Sequence, residues 1–233
     1  MIEGDVQMSR DGHLAMMHDL TIERTTNGTG RVADLRWGEL QRLDAGGQFG
    51  AEFPGLRIPS LEAVLELADS KRVSVCVDVK AGRTVEAIAT ATAVAELIHR
   101  RAAADRVVLT TSHYDLTTSH YDAFAAAKRV LPELQIAPEI SSDVSDDAPA
   151  TVRLAGSLAA LITMHHADLP TETVALLHDA GVAVWVWGAT GEASLARSVE
   201  QGVDGILGQD ISTVVKVLDR LCPRDERRTD RVS

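Results

Sequence analysis

The chain opens on a run, Ile2 to Met8, whose apolar and polar positions suit a strand, followed by Asp11-Gly12 and a second short apolar run, Leu14 to Met17. Asp-Gly between two such runs is a strong signal for a tight turn, so the pair predicts a hairpin with Leu14 to Met17 as its returning strand. Residues 20 to about 60 break this regularity. They are rich in Gly, Thr, Asn and Asp, contain one short helical pattern near Trp37 to Leu43, and are too many for a simple connection between two elements. Regularity returns at Pro59-Ser60, where Ser60 suits a helix N-cap and Leu61, Val64, Leu65 and Ala68 recur at helical spacing on one face.

From there strand and helix alternate. Val73 to Lys80 is a β-branched run, and the next helix is predicted to bury Val85, Ile88, Ala91, Ala95 and Ile98. Further strands are predicted at Val107 to Thr110, Gln135 to Glu139, Ala160 to Met164, Val182 to Trp187 and Gly205 to Leu207, with helices between them and after the last. Alternation of this kind means an α/β protein with parallel pairing, either a barrel or a doubly wound sheet, and the Ile2 strand brings the major strands to seven. Two features interrupt it. Thr110-Thr111-Ser112-His113-Tyr114-Asp115-Leu116 is repeated almost unchanged as Thr117-Thr118-Ser119-His120-Tyr121-Asp122-Ala123, and we read one copy as a loop-extending insertion and the paired histidines as its by-product. Residues 223–233 carry too few apolar side chains to pack and read as a disordered charged tail.

Composition narrows the class. With 233 residues, 45% hydrophobic and 24% charged, the chain is globular and long enough for one barrel-sized domain, which we place at 1–222 with an insertion at about 20–60. A formal charge of −11 disfavours nucleic acid and anionic membrane surfaces as partners, and means that an anionic substrate needs a local cation. Cys76 and Cys222 lack metal-finger or redox spacing and read as buried thiols. No apolar run approaches transmembrane length and the first residues carry no signal-peptide pattern, so the expected setting is soluble and cytoplasmic, with no stable membrane anchor; the oligomeric state is not legible.

The candidate chemistry sits at the start of the chain. Side chains alternate faces along a strand, so Glu3 and Asp5 share one, and two carboxylates there offer hard oxygen ligands suited to Mg²⁺ or Ca²⁺. The hairpin would return His18-Asp19 toward them. Spacing alone leaves open whether this is a cation site or a solvated strand face. His165 and His166, at the end of a predicted strand, read as surface residues.

The segment from Glu3 to Gly30, with Glu3-Gly4-Asp5-Val6, the Asp11-Gly12 turn and His18-Asp19-Leu20-Thr21-Ile22-Glu23-Arg24-Thr25-Thr26-Asn27-Gly28-Thr29-Gly30, closely resembles the glycerophosphodiester phosphodiesterase family. The resemblance continues through Leu40 to Leu43, Ile58-Pro59-Ser60-Leu61-Glu62, Asp78-Val79-Lys80, Trp185 and Gly202-Val203-Asp204-Gly205, and so covers nearly the whole chain. It implies a TIM (β/α)8-type barrel and metal-dependent hydrolysis of a small glycerophosphodiester to an alcohol and glycerol 3-phosphate. In that role Glu3, Asp5 and Asp78 would be metal ligands, His18 the catalytic acid/base, and Lys80 and Trp185 substrate-binding residues. The family pattern also has a strand ending in His-Arg-Gly, and a helix, ahead of the Glu-x-Asp strand. This sequence starts on the latter, so the expected barrel lacks its first strand and helix and the site lacks the family's first catalytic histidine. Three further departures are Asp78 where most of the family has Glu, Val186-Trp187-Gly188 in place of Thr-Val-Asn, and Gly208-Gln209-Asp210-Ile211 in place of Thr-Asp-x-Pro. The alternative reading is a non-catalytic or impaired homologue, completed by a partner.

Overall fold

The computed structural model describes residues 1–47, 49–50, 52–111, 117–140 (side chains from 121) and 159–221. The tail 223–233, Cys222 and His113, and the side chain of His120, lie outside the described residues. The chain divides into two compact units, Met1–Ile136 and Ala137–Ser233.

In the first unit, β1 (Ile2–Met8) and β2 (Leu14–Met16) form the expected hairpin, antiparallel with Val6 opposite Met16 and Met8 opposite Leu14. Its turn uses Gly12 at φ +86°, a conformation that most side chains resist. On its other side β1 pairs in parallel with β3 (Val75–Val79), and β3 with β4 (Val107–Thr111), giving the order β2-β1-β3-β4. Parallel strands covered on both faces should be buried throughout, and every residue of β3 and β4 is. Alternation sends Val75, Val77 and Val79 into a core shared with Leu61, Leu65, Ala91, Val94 and Ile98, and leaves Cys76 and Asp78 on the opposite face.

Helix α1 (Trp37–Leu40) lies in the long excursion. Helix α2 (Leu61–Lys71) is capped by Ser60, whose Oγ accepts from the Ala63 amide at 3.2 Å. Helix α3 (Thr84–Arg100) buries three of the five positions predicted, Ala91, Ala95 and Ile98, and differs at its N-terminal end. Ala87, Ala91, Val94, Ala95 and Ile98 are buried, whereas Val85 is 65% exposed and Ile88 only partly covered. Val85 lies two residues before Ala87, about 200° round the helix, and so on its outer side. The second copy of the duplicated heptad opens α4 (Thr117–Val130), and Thr110-Thr111 of the first copy end β4. The excursion has a small core of its own, in which Ala15 and Met17 from the hairpin meet Ile22, Val32, Leu40 and Ile58.

Strand β5 (Gln135–Ile140) begins at the unit boundary, and the second unit continues β5-β6-β7-β8 with β6 (Leu161–His165), β7 (Ala183–Trp187) and β8 (Gly205–Leu207), all parallel. Helices α5 (Thr171–Asp179), α6 (Glu192–Glu200) and α7 (Ile211–Leu221) complete the described part of this α/β alternation. Among the described residues no helix is long and apolar enough to cross a membrane.

Candidate active site

The strand register assembles an acidic cluster. Asp5 and Asp78 stand opposite each other across β1 and β3, Glu3 lies two residues from Asp5 on the same face, and ligand oxygens of all three fall within 4.8 Å of one another. Lys80, just past β3, takes its place through a backbone bond from its amide to the Val6 carbonyl at 2.9 Å. Its ammonium then reaches Asp78 Oδ2 at 2.8 Å and Asp5 Oδ1 at 3.5 Å. Asp78 is 8% exposed and Glu3 is the open member of the group.

Burial and crowding disfavour the ionisation of Glu3 and Asp5. Burial, then the charges of Asp5 and Asp78, push the Glu3 carboxyl up to about 7. Burial also raises Asp5, against the pull of Lys80. At Lys80 burial works against the charge, but the Asp78 and Asp5 carboxylates outweigh it and the net shift is upward. Cys76 is fully buried beside this cluster, and burial followed by the Glu3 charge pushes its thiol up. Hard carboxylate oxygens, converging from two strands and only partly neutralised by Lys80, form a donor set that fits a divalent cation.

The hairpin brings His18 to this face. The Met17 amide donates to the Asp5 carbonyl at 2.9 Å, and His18 follows on an exposed turn, close enough for its charge to bear on Asp5. Its Nδ1 is 2.7 Å from Asp19 Oδ1, and Asp19 is held in turn by Arg24, through Nε at 2.5 Å and Nη2 at 2.9 Å. Hydrogen bonds from Arg24, aided by the one from His18, hold the Asp19 carboxyl down to about 2. Asp19 therefore stays ionised and fixes one imidazole nitrogen, leaving Nε2 to exchange a proton.

Two residues here escaped the sequence reading. Arg24 was visible only as part of a motif. Gln7, 4% exposed, shares the β1 face of Glu3 and Asp5, and its amide nitrogen meets the carbonyls of Met17, His18 and Asp19 at 3.0, 3.3 and 2.5 Å. Period-two alternation from Glu3 through Asp5 was the signal that could have found it.

Trp185 belongs to the second unit, on β7, partly buried and opposite Gly205 of β8. A Cβ at position 205 would fall 2.5 Å from the indole, so glycine there makes room for the ring. His165 and His166 are not simple surface residues. Both are partly buried, with ring centroids 4.9 Å apart, and His165 meets Trp187 edge-on at 4.6 Å.

Residues 1–213 match the model of the glycerophosphoryl diester phosphodiesterase family. The chain belongs to this family. A glycerophosphodiester phosphodiesterase of Caldanaerobacter subterraneus subsp. tengcongensis is 30% identical over 218 residues, covering 93% of this chain and 85% of the relative. One from Bacillus altitudinis is 27% identical, over 94% and 86% of the two chains. Among solved structures, an Oleispira antarctica phosphodiesterase in complex with the product sn-glycerol-3-phosphate superposes with a TM-score of 0.81 at 23% identity, covering 93% of this chain and 84% of that one. The glycerophosphodiester phosphodiesterase of Agrobacterium tumefaciens gives 0.71 at 24%, over 92% and 86%. The fold is that of the α/β barrels of the glycerophosphodiester phosphodiesterases.

Proposed function

We propose that this chain is a phosphoric diester hydrolase that uses a divalent cation, Mg²⁺ or Ca²⁺, to convert a small glycerophosphodiester and water to an alcohol and glycerol 3-phosphate. The observation that carries the reading is the convergence of Glu3 and Asp5 from β1 with Asp78 from β3 within 4.8 Å, beside the hairpin that His18 follows. Family membership supplies the reaction class.

In this reading Glu3, Asp5 and Asp78 hold the cation, whose chemistry when bound is to polarise the phosphoryl oxygens and offset charge that develops on them. Lys80 adds a fixed positive charge for the phosphate, already oriented by Asp78. His18, steadied at Nδ1 by Asp19, handles the proton of the leaving or attacking oxygen through Nε2. For Trp185, on the other compact unit, a substrate-binding role is what the family resemblance implies.

The direct test is release of glycerol 3-phosphate from glycerophosphocholine with Mg²⁺ or Ca²⁺, and again with EDTA. Turnover that requires the cation is the expected result. No turnover from folded, cation-loaded protein would favour a non-catalytic member of the family.

A further inference from the structure

We propose that Gln7 is a positioning residue for His18, setting where the imidazole stands over the carboxylate face; the inference rests on reading His18 as the acid/base. Gln7 is the third residue of the β1 face that carries Glu3 and Asp5, but it points at no charge. Its amide nitrogen lies among three consecutive carbonyls, those of Met17, His18 and Asp19. Successive carbonyls of an extended chain point opposite ways, so three can converge on one atom only if the chain leaving β2 curls around it. An NH2 group has two hydrogens for the three acceptors, and Asp19 at 2.5 Å is the nearest. The amide orientation follows from this, since its oxygen in that place would face three oxygens.

The consequence is geometric. The turn carrying His18 is fixed to β1 at two points, the Asp5 carbonyl that receives the Met17 amide and the Gln7 side chain. The ligands and the proton-handling group are thereby tied to the same strand. His18 itself is exposed, so little packing around its ring would hold it if the turn beneath it moved.

The test is a double-mutant cycle on the full chain, with glycerophosphocholine turnover and Mn²⁺ affinity measured together. Gln7→Met keeps the volume and removes the donor, and Gln7→Glu keeps the shape and places a carboxylate against the three carbonyls. Both should lower kcat about 100-fold, the scale of an ångström-sized misplacement, with KM and the Mn²⁺ dissociation constant held within about threefold. Gln7→Met combined with His18→Ala should be no slower than His18→Ala alone, because Gln7 acts through His18. Retained Mn²⁺ affinity certifies the fold of each variant. If kcat of folded Gln7→Met is unchanged while His18→Ala is inactive, Gln7 is only a structural staple and the inference falls. If His18→Ala retains full kcat, the reading of His18 fails first and takes the inference with it.

Discussion

Glu3 and Asp5 stand in the acidic cluster at the cost of their own ionisation, so removing one should be felt mainly in the cation. Asp5→Ala is expected to cut cation-dependent turnover by about 100-fold or more and to weaken Mn²⁺ binding, measured by titration calorimetry, with little change in the apo melting curve. Asp19 gives a prediction in pH. Its folded pKa of about 2 lies below the ordinary 3.8, so its pairing contributes stability above about pH 4 that is lost as pH falls from there through 2. Denaturant unfolding of the wild type and Asp19→Asn should differ at pH 6 and converge by about pH 2, and curves that stay apart would mean that the pairing is not what separates them. At this scale the sequence named candidate residues and the shared face of Glu3 and Asp5, but not which residue of another strand meets them. Glu3, Asp5, Asp78, Lys80 and His18 could all be named because the family pattern places them, whereas spacing alone left Glu3, Asp5 and His18 open. That Asp5 sits opposite Asp78 depends on strand register, which pairs positions far apart in the chain and leaves no local trace. Gln7 was missed because a glutamine in a strand looks like any polar residue until its acceptors are known.

Elements were more legible than their faces. The hairpin, the Ser60 cap and the parallel strands follow from runs of apolar residues bounded by turn chemistry, and they lie where that pattern placed them. The core face of α3 did so at Ala91, Ala95 and Ile98 but not at its N-terminal end, where Val85 and Ile88 outrank alanine in any apolar count while the smaller Ala87 is the buried side chain. Two substitutions check the observed face by denaturant unfolding. Val85→Ser should stay within about 0.5 kcal/mol of the parent, whereas Ile98→Ala should cost about 2–5 kcal/mol. A cost for Val85→Ser as large as that for Ile98→Ala would put Val85 back in the core, as predicted from sequence. For α2, Ser60→Ala should cost about 1 kcal/mol through loss of the bond to the Ala63 amide.

For the molecule as a whole, the charge of −11 opposes the approach of anionic diesters even where the site attracts them. Raising ionic strength from about 0.01 M to 0.15 M shortens the screening length from about 30 to 8 Å, so KM for glycerophosphoglycerol should fall about two- to threefold. KM for zwitterionic glycerophosphocholine should hardly move, and an equal response of both substrates would rule out long-range repulsion as the cause. The β1–β2 hairpin has a temporal meaning as well. Glu3, Asp5, Gln7 and His18 lie within one contiguous stretch whose contacts are local and can close in about 1–10 μs, whereas Asp78 and Lys80 arrive only when β3 docks across a long loop. This part of the site is expected to form first as a local module, with the arrival of β3 completing it. In pulsed hydrogen exchange during refolding, the amides of Ser9 and Met17, which bond across the hairpin to the His13 and Asp5 carbonyls, should gain protection before that of Lys80.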